Sequence, residues 1–108
     1  MRIVFDLDGT LCFTPPKTDG GWDYEKAEPF TNRIEIVNDL FDKGNYIIID
    51  TARGSWSGND WTEKTKSQVE SWGLKFHELC VGKKIYADLF VDDRAVNSEQ
   101  YFKDVREL

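Results

Sequence analysis

The chain has few of the residues that bind transition metals or form disulfides. It contains one histidine and two cysteines among 108 residues, and Cys12 and Cys80 do not stand at a metal-ligand spacing. We therefore expect two reduced thiols in a cytoplasmic protein and no metal site built from paired cysteines.

Long apolar runs and an excess of positive charge are also absent. No run approaches the roughly 18 apolar residues of a membrane span, and a strand pattern begins at once, without the features of a signal peptide. The net charge of -6 argues against a general affinity for nucleic acid or anionic membranes. A hydrophobic share of 40% in 108 residues predicts one domain, residues 1–108, with a single core.

The most informative feature present is an apolar strand that ends in two carboxylates. Asp6 and Asp8 lie two positions apart, so that in a strand they point the same way. Gly9 then permits a sharp turn, and Thr10 follows it. Two carboxylates this close repel each other unless a cation or a proton lies between them. The pair indicates a functional site at the carboxyl end of the strand, where open α/β sheets place their ligands.

Apolar patterns and cap signals predict alternating strands and helices. We expect strands at residues 2–7, 46–49, 76–81 and 89–91, and helices at residues 32–43, 61–72 and 98–106. Asn32 with Glu35 and Asp60 with Glu63 form capping-box patterns for the first two helices. This alternation is typical of a three-layer α/β fold, with a mostly parallel sheet and helices on both faces.

Two regions between these elements read as long loops, residues 12–30 and residues 52–60. The first contains all three prolines and is predicted to include a short hairpin. Loops of this length in a compact domain are usually functional.

Polar residues end two further strands. Thr51 closes the second strand, and Asp92 and Asp93 close the fourth. Because the carboxyl ends of parallel strands meet at one edge of a sheet, we expect these side chains to join Asp6 and Asp8 in one site.

In this order and spacing the residues resemble the motifs of the haloacid dehalogenase superfamily of phosphotransferases. The resemblance runs from Ile3 to about Phe102. Its motifs are Asp-x-Asp-Gly-Thr at residues 6–10, Thr51, a lysine at Lys83 or Lys84, and the acidic pair at residues 92–93. It implies a Rossmann-like fold for the whole chain.

The resemblance also implies roles for the two aspartates. Asp6 would attack a phosphoryl group and form an aspartyl-phosphate. Asp8 would protonate the leaving group and then activate water. Mg²⁺ would be held by Asp6, by the backbone carbonyl of Asp8 and by Asp92, because a hard cation prefers oxygen ligands. Asp93 would support this site.

Phosphate binding is implied for Thr51, a lysine, Gly9 and Thr10. Gly82-Lys83 matches the usual Gly-Lys pair of the family, so we favour Lys83 and keep Lys84 as the alternative.

Two arginines follow motif residues. Arg53 either reaches a substrate phosphate or carboxylate or forms a structural ion pair. Arg94 is a second substrate-binding candidate, for which we favour an ion pair. The single histidine, His77, lies far from the motifs and is expected to be structural.

Aromatic residues in the two loops form a further group of candidates. Trp22, Tyr24 and Trp56 either line a substrate mouth or are ordinary exposed aromatics.

The connections after the first motif and after the second strand are too short for the cap domain found in most family members. The chain therefore looks like a small capless member of the type associated with polysaccharide biosynthesis. That likeness implies a Mg²⁺-dependent phosphatase acting on a phosphorylated sugar or related small metabolite, with no membrane partner and with self-association left open.

Two alternatives remain at this stage. One is a polynucleotide-end or phosphoprotein phosphatase, although the acidic charge weighs against nucleic acid. The other is a non-catalytic phosphate-binding module.

Overall fold

The chain folds around a small parallel sheet that places the ends of three strands side by side. The structure, a computed structural model, describes residues 1–107 and the side chains of residues 1–104. Its elements in chain order are β1 (Arg2–Phe5), β2 (Cys12–Phe13), β3 (Glu28–Pro29), α1 (Thr31–Asp42), β4 (Tyr46–Thr51), α2 (Thr62–Ser71), β5 (Glu78–Val81) and α3 (Ser98–Glu107).

The central strand of the sheet is β4. The strand order is β1-β4-β5, and both pairings are parallel. Phe5 is opposite Ile49 at the end of β1, and Thr51 is opposite Val81 at the end of β5. The α/β class and the parallel sheet are therefore confirmed, and the carboxyl ends of all three strands lie at one edge.

Each of the three helices also contributes to the core. α1 packs against β4 and α3, and α2 packs against β5. The buried apolar side chains include Val37 of α1, Val69 of α2 and Phe102 of α3. The Phe102 ring stacks on Phe5 with the ring centres 6.0 Å apart, which ties α3 to the first strand.

The helix predictions are confirmed to within about one residue at each end, but the cap predictions fare less well. α1 begins after Phe30 without a side-chain cap, so the expected Asn32–Glu35 capping box is wrong. At α2, Asp60 Oδ1 accepts the Thr62 N–H at 2.9 Å and so satisfies a free donor of the first turn.

The first strand is regular only as far as Phe5, whereas we expected it to reach residue 7. Its alternation nevertheless continues, because Phe5 and Leu7 are 5% and 0% exposed while Asp6 and Asp8 are half-buried. The two carboxylates thus lie on the side opposite the core.

The predicted strand at residues 89–91 is wrong. The described structure has no regular element there, and Leu89 and Val91 are 78% and 92% exposed. The apolar run is only three residues long and is flanked by Asp88 and Asp92. So short a segment gains few ladder hydrogen bonds and little buried area to offset the entropy of ordering it.

The loop at residues 12–30 contains the expected short hairpin-like pairing. β2 and β3 pair antiparallel, with Cys12 opposite Pro29, and a 3-10 turn spans Tyr24–Lys26. Neither long connection carries a separate folded unit within residues 1–107. Among these residues no helix has the length and apolarity that a bilayer crossing needs.

His77 has the structural role expected of it. Its ring is stacked between Phe41 and Tyr46, with ring centres 4.5 and 4.4 Å away. The ring Nδ1 accepts the backbone N–H of Ile47 at 3.0 Å, and the backbone N–H of His77 donates to the Ile47 carbonyl at 2.8 Å. The imidazole therefore supplies a hydrogen bond to β4 just before β5 begins.

Candidate functional site

A cavity of about 460 Å³ opens at the carboxyl ends of β1 and β4. This volume lies in the usual range for a small-molecule site. Both predicted carboxylates and the predicted hydroxyl line it. The lining residues are Asp6, Asp8, Gly9, Phe13, Thr14, Trp22, Tyr24, Thr51, Ala52, Arg53, Lys84, Ile85, Tyr86, Ala87 and Phe90.

Asp6 is oriented by two donors. Thr10 Oγ1 donates a hydrogen bond to Asp6 Oδ2 at 3.2 Å, and Lys84 Nζ donates to Asp6 Oδ1 at 3.1 Å. The Asp6 side chain nevertheless remains 39% exposed. This carboxylate is therefore both fixed in direction and accessible from the cavity.

Asp8 accepts more hydrogen bonds than Asp6. Arg53 meets it with two hydrogen bonds, from Nε to Oδ2 at 3.0 Å and from Nη2 to Oδ1 at 2.8 Å. The Thr14 hydroxyl and the Cys12 thiol also donate to Oδ1. Each carboxylate of the pair thus has its own cation, which offsets the repulsion between the two.

Gly9 and Thr10 shape the turn after the first strand. Gly9 lines the cavity with a φ of +82°, but its N–H already donates to the Cys12 carbonyl at 2.8 Å. Thr10 is outside the lining and serves as the partner of Asp6. Both residues support the carboxylates in this structure, and neither has its N–H free for a phosphate.

Thr51 is in its predicted place at the end of β4. It is 1% exposed and lines the cavity, and its Oγ1 accepts the Arg53 N–H at 3.3 Å. An accepting hydroxyl keeps its own proton to donate. Thr51 can therefore donate one hydrogen bond to a group bound in the cavity.

The structure brings Lys84 to the site, and Lys83 lies outside it. Lys83 is exposed and does not line the cavity, whereas the Lys84 side chain is 25% exposed and contacts Asp6. The turn at Gly82 explains why Lys84, and not Lys83, faces the cavity. Gly82 has a φ of +81° and donates its N–H to the Thr51 carbonyl at 3.1 Å.

This turn is tightly packed, and it is fixed from a second loop. A side-chain carbon on Gly82 would meet the Arg53 carbonyl at 3.3 Å. Ser55 Oγ donates to the Lys84 carbonyl at 2.7 Å. The preference for Lys83 is therefore replaced by Lys84, since the chain direction after Gly82 decides which lysine faces inwards.

The acidic pair at residues 92–93 is not brought to the cavity. Asp92 and Asp93 are exposed, and Asp92 Oδ1 accepts the Arg94 N–H at 2.9 Å within the same loop. This hydrogen bond holds the pKa of Asp92 below its usual range. The Arg94 side chain is exposed and forms no ion pair with residues 1–104. The missing strand at residues 89–91 explains the displacement, because that strand was expected to carry these residues to the sheet edge.

Arg53 is committed to a structural ion pair. Its side chain is 1% exposed, and besides Asp8 it contacts Gln68 and Thr65 of α2. An incoming phosphate would have to displace these acceptors. Of the two roles considered for Arg53, the ion pair is the one that the structure shows.

The donor set for a divalent cation is smaller than expected. In the described part of the chain no three His, Cys, Asp or Glu side chains are grouped as a metal site. Mg²⁺ commonly binds through one or two carboxylates and completes its shell with water and substrate phosphate. The accessible Asp6 carboxylate fits this minimal mode, while both Asp8 oxygens are engaged with Arg53.

Aromatic rings form much of the remaining cavity wall. Of the two alternatives left open for Trp22 and Tyr24, the structure shows the first: both line the cavity, together with Phe13, Tyr86 and Phe90. Trp56 is 85% exposed and outside the lining. Burial, and secondarily the Asp8 charge, raises the pKa of the Tyr24 phenol, which therefore stays a hydrogen-bond donor.

Comparison with solved structures supports the fold. The chain is similar to the crystal structure of an MCSG target from Vibrio cholerae. The TM-score is 0.71 at 23% sequence identity, covering 98% of this chain and 94% of that one. No family model and no curated protein matches the sequence. At this level of identity the likeness bears on the fold alone.

Several residues that build the site were missed at the level of sequence. Cys12 and Thr14 lie two positions apart in and beside β2, so that both reach Asp8, and this alternation was a usable signal. Thr65 and Gln68 lie three apart on α2, which puts them on one helix face towards Arg53. Nothing in the spacing pointed to Arg53 as their partner.

The Cys12 thiol offers a direct test of this arrangement. Burial, and then the neighbouring Asp8 carboxylate, raises the pKa of Cys12 to about 11. Cys12 is fully buried, so the fold blocks access to the thiol in addition to raising its pKa. In a Cys80→Ser variant, where Cys12 is the sole thiol, we expect iodoacetamide to react at pH 8 at least about a hundredfold more slowly with folded than with unfolded protein. Rapid alkylation of the folded variant at pH 8 would contradict the packing of Cys12 beneath Asp8.

Proposed function

We propose that this protein is a Mg²⁺-dependent phosphomonoesterase of the haloacid dehalogenase type, built on a Rossmann-like domain. One observation carries the proposal. Two carboxylates from one strand end, Asp6 and Asp8, face one cavity together with the Thr51 hydroxyl and the Lys84 ammonium. Phosphoryl transfer through an aspartyl-phosphate requires a nucleophile, a proton carrier and groups that donate hydrogen bonds to the phosphate oxygens. The four side chains can supply all of these.

In the first step Asp6 is the nucleophile. One of its carboxylate oxygens forms a bond to phosphorus, and the bond from phosphorus to the leaving oxygen breaks with its electron pair going to that oxygen. Asp8 donates a proton to the same oxygen, so that an alcohol departs. Asp8 Oδ2 accepts one hydrogen bond, from Arg53 Nε, and its second lone pair is the place for this proton.

In the second step water hydrolyses the aspartyl-phosphate. Asp8, now a carboxylate, takes a proton from water as the water oxygen bonds to phosphorus. The bond between phosphorus and Asp6 breaks, and its electron pair returns to the Asp6 carboxylate. Inorganic phosphate leaves, and Asp8 is again protonated for the next cycle.

Lys84 and Thr51 bind the phosphoryl oxygens during both steps. The Lys84 ammonium has three N–H donors, and one of them is used by Asp6. Its other donors and the Thr51 proton can meet charge that spreads over the oxygens in the transition state. The contact with Asp6 also keeps the ammonium beside the nucleophile.

Mg²⁺ is proposed as the cofactor, held by the Asp6 carboxylate with help from the backbone carbonyl of Asp8. Asp92 joins only if its loop moves to the cavity, since Asp92 is outside the lining in this structure. When bound, the ion would neutralise negative charge on the phosphate and on the carboxylates.

The cavity favours a small phosphate ester with an uncharged leaving group. The charged residues of its wall are Asp6, Asp8, Arg53 and Lys84, so that no cation there is left without a carboxylate partner. Aromatic rings such as Trp22 and Tyr86 supply flat apolar faces. Sugars present C–H faces that stack on such rings, which agrees with a phosphorylated sugar as the substrate class.

The decisive experiment measures phosphate release from a panel of sugar phosphates, nucleotides and 3′-phosphorylated oligonucleotides. With Mg²⁺ we expect release from one class of small monoester and far less from oligonucleotides. EDTA should abolish the release, and added Mg²⁺ should restore it. Release that survives complete metal removal would contradict the proposed cofactor. A preference for oligonucleotides would contradict the proposed substrate class.

A further inference from the structure

Arg53 carries a charge that is almost entirely out of water. Its side chain is 1% exposed, and such a charge is stable only where partners surround it. Four acceptor contacts are present: two to Asp8, one to Gln68 Oε1 at 2.7 Å and one to Thr65 Oγ1 at 3.3 Å. The guanidinium also lies over the Tyr24 ring, 4.8 Å from its centre. Few directions are left in which this side chain can turn.

The contacts of Arg53 join Asp8 to two other parts of the fold. Thr65 and Gln68 anchor the guanidinium to α2. Gln68 Nε2 also donates to the Tyr24 carbonyl at 2.8 Å, which fixes the loop at residues 12–30 to the same helix. Asp8 itself comes just after β1. One side chain therefore links the proton carrier, a helix and the loop that lines the cavity.

The geometry at Asp8 is bidentate, and it fixes the plane of the carboxylate. Nε meets Oδ2 and Nη2 meets Oδ1, so the carboxylate cannot rotate without losing one of these bonds. Thr14 and Cys12 add two further donors to Oδ1. Oδ2 accepts only from Nε among the described residues, so that one of its lone pairs keeps a fixed direction.

We infer that Arg53 is the positioning residue of Asp8: it sets the carboxylate plane so that the free lone pair of Oδ2 meets the leaving oxygen, and it does not bind substrate. The inference rests on the proposed function, because it gives Asp8 the role of proton carrier. It predicts that a substitution of Arg53 slows the same substrates as a substitution of Asp8, by a smaller factor.

Esters whose leaving groups differ in basicity show whether a substitution at Arg53 has the same kinetic effect as one at Asp8. An alkyl ester needs a proton on its departing oxygen, whereas p-nitrophenolate leaves well without one. The comparison uses kcat/KM, which reports the steps up to loss of the leaving group and leaves out the later hydrolysis, in which Asp8 acts on water for both esters alike. We therefore expect Asp8→Asn to lower kcat/KM strongly for an alkyl phosphate and much less for p-nitrophenyl phosphate. Arg53→Lys keeps the positive charge but loses the bidentate geometry. It should lower kcat/KM by about 10–100-fold for the alkyl ester and by less than about threefold for the aryl ester.

The double variant Asp8→Asn/Arg53→Lys completes the test. If Arg53 acts only through Asp8, the double variant should be no slower on the alkyl ester than Asp8→Asn alone, within about twofold. A second variant guards against misfolding. Thr65→Val removes one anchor of Arg53 and leaves both the pair with Asp8 and the contact of Gln68 with the loop, so a smaller loss with the same alkyl preference is expected. Gln100→Leu on the exposed face of α3 is the control and should change neither rate.

The possible failures are distinguishable. Equal losses on both esters in Arg53→Lys and Thr65→Val, or a further loss in the double variant that multiplies the two single losses, would overturn the positioning role while leaving the phosphatase assignment intact. A folded wild-type protein that hydrolyses neither ester with Mg²⁺ would overturn the proposed function and this inference together.

Discussion

Replacing Asp6 with Asn is expected to reduce phosphate release by about 10⁴-fold or more, because an amide cannot supply the oxygen nucleophile that forms the covalent intermediate. Substitution here changes one atom and keeps the side-chain volume. The Asn oxygen can still accept from Lys84 or Thr10, and the Asp6 side chain is 39% exposed. We therefore expect the variant to fold like the wild type.

The control for this substitution is Asp39→Asn. Asp39 is exposed on α1 and pairs with Lys43 at 2.8 Å, away from the cavity. Exposed pairs of this kind contribute little, so both activity and thermal midpoint should stay near wild type. Measurement of phosphate release and of circular dichroism on both variants separates loss of the nucleophile from loss of the fold. An Asp6→Asn protein that kept more than about a tenth of its activity would be incompatible with Asp6 as the nucleophile.

The same variant also separates an enzyme from a binding module. If the protein only binds phosphate, Asp6→Asn removes one negative charge from the cavity and should bind inorganic phosphate at least as well as the wild type. If the protein is an enzyme, Asp6→Asn loses phosphate release even when its affinity for inorganic phosphate is unchanged. Trp22 lines the cavity, so its fluorescence is a suitable probe of binding.

The sequence predicted the parts of the site that depend on periodicity. Asp6 and Asp8 share a side because side chains alternate along an extended chain, and this holds although regular strand structure ends at Phe5. Thr51 lies beside them because β4 pairs parallel with β1. These relations are local, or they follow from the parallel order of neighbouring strands, so they can be inferred without coordinates.

The parts that failed depend on how irregular segments run in space. The strand expected at residues 89–91 would have needed one of the edge strands, β1 or β5, as its partner, and no pattern in three apolar residues fixes such a long-range pairing. Asp92 and Asp93 were therefore expected at the sheet edge, and in the structure they are exposed in a loop. Arg53 was ambiguous for a related reason, since its partners Thr65 and Gln68 come from a separate helix.

The two lysines after Gly82 show how one backbone angle decides a functional assignment. Consecutive side chains point to different sides of a chain, and the φ of +81° at Gly82 sets which one turns towards the cavity. The sequence motif favoured Lys83, whereas the structure puts Lys84 Nζ at 3.1 Å from Asp6 Oδ1. A substitution at Lys83 is therefore the matched control for the same substitution at Lys84.

Replacing Lys84 with Met is expected to lower kcat/KM by about 10²–10³-fold, since it removes a charged donor from the position where phosphoryl charge develops. Met retains an unbranched side chain of similar length, so packing near Phe90 should be kept. Lys83→Met removes the same charge from an exposed position one residue away and should change kcat/KM by less than about twofold. Because both variants have the same net charge, any difference between them reports position and not overall electrostatics. The reverse order of effects would mean that the loop after Gly82 turns Lys83 inwards when substrate binds.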